Sequence, residues 1–315
     1  MVDAVIPWVD GSDPVHAAKR SSYQTGSVGQ DAEASLATRF ASNGEIYYCI
    51  SLLRKNAPWI GTIHLVTDNQ CPRWLDPVRR RALGVEIVDH RTIFRGYKYA
   101  LPTFNSCSIE TVIHRIPALA DRFLYFNDDV FIIRPVREAD YFDAGIPRIR
   151  GHVLPRNRIV RRLHRWLYPQ AYQFHPGLIA ARFGGVKIRK HTKRIAVLVH
   201  TPHPVNRRDF ASMMEEEGRI EQNIPFKFRS HDQFRPLPLY ATLGLERGVV
   251  QIVAPDLAYI DPKQVPLLTR DFLAAQTASP DVRHLCIQSL DAYDADSQNV
   301  ALEFLEHLLH APSRA

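Results

Sequence analysis

Asn127-Asp128-Asp129 interrupts an otherwise apolar run from Phe123 to Ile133. An unpartnered carboxylate in such a setting is costly, so the pair needs a cation, hydrogen-bond donors or an opening to solvent. Ligands of open α/β sheets sit at the carboxyl ends of the strands. The pattern therefore predicts a buried strand over 123–133 with a ligand or metal site at Asp128 and Asp129. The competing reading is a turn in which Asn127 and Asp128 bond their own backbone. Hard oxygen ligands of this kind suit Mg²⁺ or Mn²⁺.

Other chemistry-bearing residues lie where strands and helices begin or end. Trp8-Val9-Asp10-Gly11-Ser12-Asp13-Pro14 places two carboxylates three residues apart in a glycine-containing loop. That loop is either a tight turn or a nucleotide-sugar contact made by Trp8, Asp10, Gly11 and Asp13, with the glycine permitting close backbone approach. Arg39, Asn43 and Glu45 gather at a helix start, where backbone N–H groups favour phosphate, and Asn105 and Glu110 do the same at the next. Glu45 reads better as a cap. His200-Thr201-Pro202-His203-Pro204 offers two imidazoles in a proline-bounded stretch, with His203 a candidate general base and His200 of more structural character. Arg229 can clamp a phosphate or form a surface ion pair. No further ligands stand at zinc spacing.

Positioning these groups requires alternating elements. Val2–Val9, Ile63–Thr67 and Val85–Val88 read as strands. Ser42-Asn43-Gly44-Glu45 fits a capping box, followed by Ile46, Ile50 and Leu53 at helical spacing as far as Pro58. A second helix carries Ile109, Val112, Ile113 and Ile116, entered through Asn105-Ser106 and closed by Pro117. Residues 16–38 are small and polar and read as a flexible surface segment. The expected fold is α/β: a Rossmann-like (GT-A-like), mostly parallel sheet with helices on both faces and an Arg-rich inserted lobe. Residues 1–143 would form the nucleotide-sugar-binding core, 144–195 a basic insertion on the acceptor side, and 196–315 the rest of the catalytic domain. A C-terminal helix would bury Ala301, Phe304, Leu305 and Leu308.

A hydrophobic content of 45% marks a globular chain with a real core, and a net charge of +7 implies an anionic partner. The insertion holds Arg158, Arg161, Arg162 and Arg165 among Trp166, Tyr168, Tyr172 and Phe174. No helix-turn-helix, zinc-finger, RRM or KH pattern supports nucleic acid as that partner. An anionic glycan or a solvated face fits better, and peripheral contact with a membrane surface stays open. The four cysteines, Cys49, Cys71, Cys107 and Cys286, show no paired spacing and read as reduced core or near-site thiols. No signal peptide or membrane-spanning run is evident, so a cytoplasmic location is expected.

Together these segments resemble the Stealth family, which includes bacterial capsule polymerases and the catalytic subunit of eukaryotic GlcNAc-1-phosphotransferase. The resemblance is carried by four runs in the family's order: Ala4 to Pro14; Arg39-Phe40 through Asn43-Gly44-Glu45 to Asn56-Ala57-Pro58-Trp59; Leu101 to Ser106 with Ile109-Glu110 and His114-Arg115-Ile116; and Phe126 to Asp129. Weaker matches are Thr201-Pro202-His203, Phe228-Arg229-Ser230 and Leu285-Cys286-Ile287. It implies transfer of a hexose-1-phosphate, such as GlcNAc-1-phosphate, from a UDP-sugar to a glycan hydroxyl, with release of UMP. It further implies Asp128 and Asp129 for metal, Asp129 also for catalysis, His203 as base and Arg229 as the phosphate-binding arginine. Gln288-Ser289 departs from the Asn-Asp of the eukaryotic members, and residues 145–195 match poorly, so the acceptor does not carry over. The competing function is a metal-dependent glycosyltransferase that releases UDP.

Overall fold

Two alternating faces of one sheet organise the chain. The computed structural model describes residues 1–24, 40, 42–167, 178–179, 183, 186 and 192–312. Strand β1 (Val2–Pro7) leads into helix α1 (Pro14–Gln24), which Asp13 caps by accepting the His16 N–H at 2.8 Å. Helix α2 (Glu45–Asn56) begins after Gly44, whose φ of 94° is the left-handed region that glycine tolerates. Strand β2 (Ile60–Thr67), helix α3 (Pro77–Ala82), strand β3 (Val85–Asp89) and helix α4 (His90–Ile93) come next in the chain. Asp76 and Asp89 cap the two short helices through their carboxylates. Helix α5 (Ser106–Val112), capped by Asn105, precedes strands β4 (Arg122–Tyr125) and β5 (Val130–Ile132).

The second half is more irregular. It runs through β6 (Phe142–Asp143), β7 (Ile146–Pro155), α6 (Arg158–Leu167), β8 (Leu178–Ile179), β9 (Arg194–Val199) and β10 (His203–Asn206). Helices α7 (Arg207–Glu215), α8 (Arg219–Asn223) and α9 (Pro236–Arg247) lead to β11 (Gln251–Val253), β12 (Leu257–Ile260), α10 (Arg270–Gln276), β13 (His284–Ile287) and α11 (Ala295–His310). Pro236 opens α9, where its missing N–H costs nothing, and Gly248 closes it at φ 74°.

The main sheet has the order β10-β4-β1-β2-β3, with β4, β1, β2 and β3 parallel and β10 antiparallel to β4. Ala4, Ile6, Leu65 and Leu124 point into one core with α2 and α11. Val5, Val66, Phe123 and Tyr125 point into the other, packed on Ile109, Val112, Phe210 and Tyr240 from α5, α7 and α9. The fold class expected from the sequence is therefore observed: a Rossmann-like, mostly parallel sheet with helices on both faces. α11 buries Ala301, Phe304 and Leu305, with Leu308 packed at its edge. A second sheet, β11-β7-β9-β8, ties the basic 144–195 segment to the last third of the chain, because β7 pairs with both β9 and β11. A third, β12-β13-β5, closes the end nearest the acid pair.

Three local expectations are corrected. Residues 123–133 are not one strand. Phe126 N–H still bonds Val5 C=O at 2.9 Å, but Val130 N–H then bonds Asn127 C=O at 3.3 Å, and the chain re-emerges as β5, antiparallel to β13. Asn127-Asp128-Asp129 is the turn that carries the chain from one sheet to another. Residues 16–24 are helical rather than loose, since Asp13 nucleates α1; residues 25–38 lie outside the described part. The capping box at Ser42 does not form. The Ser42 hydroxyl accepts from Trp8 Nε1 at 3.3 Å, while the Glu45 carboxylate accepts the Asn43 N–H at 2.6 Å.

Among the described residues no helix is long and apolar enough to cross a membrane. All four cysteines are free.

Candidate functional site

The ends of β1, β2 and β4, the start of α5, the β9–β10 connection and the β12 and β13 ends surround a cavity of about 790 Å³. Its position at the carboxyl ends of the parallel strands is dictated by topology: there the connections diverge and leave space.

One wall is acidic. Asp128 and Asp129 line it, with Glu45, Asp261 and Asp291. Both members of the pair are half-buried residues whose carboxyl groups sit deep, and Asp129 Oδ1 is buried without a hydrogen-bond partner. Burial, then the neighbouring charges of Asp129 and Glu45, pushes the Asp128 carboxyl well above the usual range. Burial and Glu45 raise Asp129 to about 7. The same negative field, added to burial, raises the Cys49 and Cys286 thiols, so these are inert neighbours rather than nucleophiles.

This donor set fits a hard divalent cation. Two carboxylates hold their charges together at a cost in Coulomb repulsion that a bound Mg²⁺ or Mn²⁺ would reverse, and one oxygen is already orphaned. Among the described residues no three His, Cys, Asp or Glu side chains close into a full ligand set.

The opposite chemistry comes from Arg229 and Arg235, both lining the cavity. Arg229 Nη2 and Nε donate to Ser106 Oγ at 2.5 and 3.2 Å, which fixes the guanidinium beside the α5 start. Glu110 is half-buried there; desolvation raises its carboxyl against the pull of both arginines, and it accepts from Tyr125 Oη at 3.2 Å. Asn105 is fully buried: its amide donates to Phe226 C=O at 3.0 Å and Gln233 Oε1 at 2.7 Å while its carbonyl caps Cys107. Phe40, Phe104 and His16 add an aromatic wall, with His16 and Phe104 edge to face at 5.4 Å.

Both histidines of the 200–203 stretch line the cavity. Burial, reinforced by His200 and Arg150, drives His203 down to about 3. Burial and the two cavity arginines drive His200 to about 4, its ring 5.3 Å from that of Tyr259. Both are neutral at working pH, and each has a buried Nδ1 without a partner. The strand position belongs to His203, on β10, whereas His200 precedes it in the connection.

The cavity thus gathers Trp8, Asn105, Glu110, Asp128, Asp129, His203 and Arg229. It leaves out Asp10, Gly11, Asp13 and Asn43, and Arg39 lies outside the described residues. Asp10 accepts from the Ser12 N–H and hydroxyl at 2.9 and 2.6 Å, and its backbone is locked to Gln70. Gly11 has a steric reason: a Cβ there would stand 2.3 Å from the Phe40 carbonyl oxygen. Sequence reasoning missed Arg235, Asp261, Asp291 and Tyr259. Only Arg235 had a local signal, a cation directly before the Pro236 helix start.

Residues 2–28 match conserved region 1 and residues 39–149 match conserved region 2 of the Stealth proteins. An exopolysaccharide phosphotransferase of Streptomyces coelicolor is 34% identical over 99% of this chain and 52% of its own length. A capsular polysaccharide phosphotransferase of Actinobacillus pleuropneumoniae is 42% identical over 46% of this chain and 39% of its own. The chain therefore spans about half the length, or less, of these relatives. The crystal structure of the galactosyltransferase LgtC with donor and acceptor sugar analogs aligns at 14% identity and a TM-score of 0.43, covering 100% of this chain and 97% of that one. Through its two conserved regions, which hold the acid pair, Trp8, Asn105 and Glu110, the chain belongs to the Stealth family.

Proposed function

We propose that this chain transfers a hexose-1-phosphate, GlcNAc-1-phosphate being the first to test, from a UDP-sugar to a hydroxyl of an anionic capsule or exopolysaccharide chain. One observation carries the reading: a single cavity holds a buried acid pair, with Asp129 Oδ1 lacking a hydrogen bond, together with two arginines. That polarity matches a metal-bound diphosphate. The phosphotransferase names of the relatives support the same class.

In the proposed step the acceptor oxygen attacks the sugar-bearing phosphorus. The bond from that phosphorus to the bridging oxygen breaks, UMP leaves, and the hydroxyl proton passes to a cavity base. A divalent cation held by Asp128 and Asp129 would neutralise charge developing on the phosphoryl oxygens. Arg229, braced by Ser106, clamps the diphosphate; Arg235 adds a second positive charge. Trp8, Phe40 and Phe104 offer apolar surface to the uracil and sugar rings. His203 is the base candidate and is ready as the neutral imidazole. An ordinary histidine would give an acid limb around pH 6–7; here it moves down to about 3 because burial disfavours the imidazolium.

The deciding experiment incubates the protein with UDP-GlcNAc, Mg²⁺ and candidate glycans and identifies the nucleotide. UMP with a new phosphodiester is expected. UDP instead would mean attack at the anomeric carbon and a metal-dependent glycosyltransferase.

A further inference from the structure

Helix α6 is built differently from the other described helices of the chain. Ile159, Leu163 and Trp166 recur at four- and three-residue spacing, so they share one face. They are 80%, 56% and 77% exposed, and Val160 beside them is 50% exposed. Arg158, Arg161, Arg162 and Arg165 fall by the same spacing in the remaining arc, with Arg162 exposed to solvent. A helix that must be tolerated in water normally hides such apolar residues. Among the described elements the main contacts of α6 run to β7, the strand just before it.

We propose that α6 docks this chain on an anionic phospholipid surface. An in-plane amphipathic helix of this composition lies with its apolar face at the acyl boundary while its arginines meet lipid phosphates. Charge complementarity favours that partner, since the whole chain carries +7. A soluble anionic glycan is the weaker occupant: it could use the arginines and stack on Trp166, but has no use for Ile159 or Leu163. No described residue between 130 and 199 lines the cavity, so α6 is separate from the wall where an acceptor hydroxyl must reach phosphorus. Lipid binding through α6 is therefore independent of the transferase reading and can be measured without it.

The test is co-sedimentation with vesicles of phosphatidylcholine alone, or with about one third phosphatidylglycerol, at low and high salt. The whole chain should bind the anionic vesicles, weakly or not at all the neutral ones, and less at high salt. Replacing Ile159, Leu163 and Trp166 together with Ser should weaken binding at least about 30-fold. Because all three are exposed, the melting temperature and circular dichroism should not change. Arg162→Glu should weaken binding about 10-fold and flatten the salt dependence. Binding of the triple variant equal to that of the unaltered chain would overturn the proposal. So would failure of the unaltered chain to bind anionic vesicles while it binds a soluble polyphosphate through the same helix.

Discussion

Two clusters of buried carboxylate in this molecule have opposite electrostatics. Asp256 accepts from Arg150 Nε and Nη2 at 2.6 and 2.9 Å and sits 2.7 Å from His284 Nδ1, whose other ring nitrogen lies 2.7 Å from Tyr141 Oη. Burial alone would raise its carboxyl, but these partners hold it well below the usual range. Asp128 and Asp129 are buried carboxyls without such partners, and they are pushed up. The first arrangement is architecture: it ties β7 to the start of β13. The second is an acid pair beside a cavity, bonded by backbone N–H groups and the Cys286 thiol but with Asp129 Oδ1 left over. Carboxyls held in that state beside a cavity are candidates for a site that an external cation completes.

The largest effect should come from neutralising the starved pair. Asp128→Asn and Asp129→Asn are each expected to cut turnover by about two to four orders of magnitude, since losing metal-held transition-state charge costs several kcal/mol. Neither should unfold the protein, and relief of repulsion should leave the melting temperature unchanged or higher. Mg²⁺ should raise the melting temperature of the unaltered chain and not that of Asp129→Asn. Near-normal turnover of both variants at saturating metal would remove these residues from the site.

Asp256→Asn should behave in the reverse sense. It strands the Arg150 guanidinium in a nearly closed interior, which typically costs about 3–5 kcal/mol. The loss should appear in urea unfolding, with kcat per folded molecule little changed. A catalytic defect without loss of stability would make the satisfied cluster part of the mechanism and erase the contrast.

Next in size is the anion side. Arg229→Ala should raise the donor KM about 10- to 100-fold. Arg229→Lys should recover part of that loss at most, because an ammonium keeps the charge but not the fork that both Ser106 and a phosphate require. Full recovery by lysine would mean that Arg229 acts only through long-range charge.

The contrast also explains what the sequence makes legible. Asn127-Asp128-Asp129 is visible because polar residues inside an apolar run are conspicuous wherever the chain goes. The main strands and α2 are visible because periods of two and 3.6 are local. The break between β4 and β5 is not, since an apolar run looks alike whether it stays in one sheet or changes to another. Asp10 and Asp13 look equally suited to a ligand, but bonds to their own neighbouring backbone claim them. Asp261, Asp291 and Tyr259 reach the cavity from strand and turn ends more than 130 residues away from Asp128, and no local pattern announces that. Glu45 reads as a cap and does bond the Asn43 N–H, yet its charge also raises both members of the acid pair.

The smallest effect concerns the imidazoles, the neutral counterparts of the starved acids. Burial holds His90, His114 and His200 at about 4 and His203 at about 3, against about 6.5 when unfolded. As pH falls, the unfolded chain binds these protons first. The contribution of each histidine is therefore intact above about pH 6.5 and is lost progressively toward its folded value. At pH 5.5 each should have cost about 1.4 kcal/mol, one pH unit of proton binding. His203→Gln should remove one such increment from the difference between urea unfolding at pH 7.5 and 5.5, and the same variant should leave the kcat profile above pH 5 unaltered in shape. An unchanged pH dependence of stability would show that His203 protonates in the folded protein with an ordinary affinity. The activity limb would then return to pH 6–7, and the cavity around His203 would have to be wetter than its burial implies.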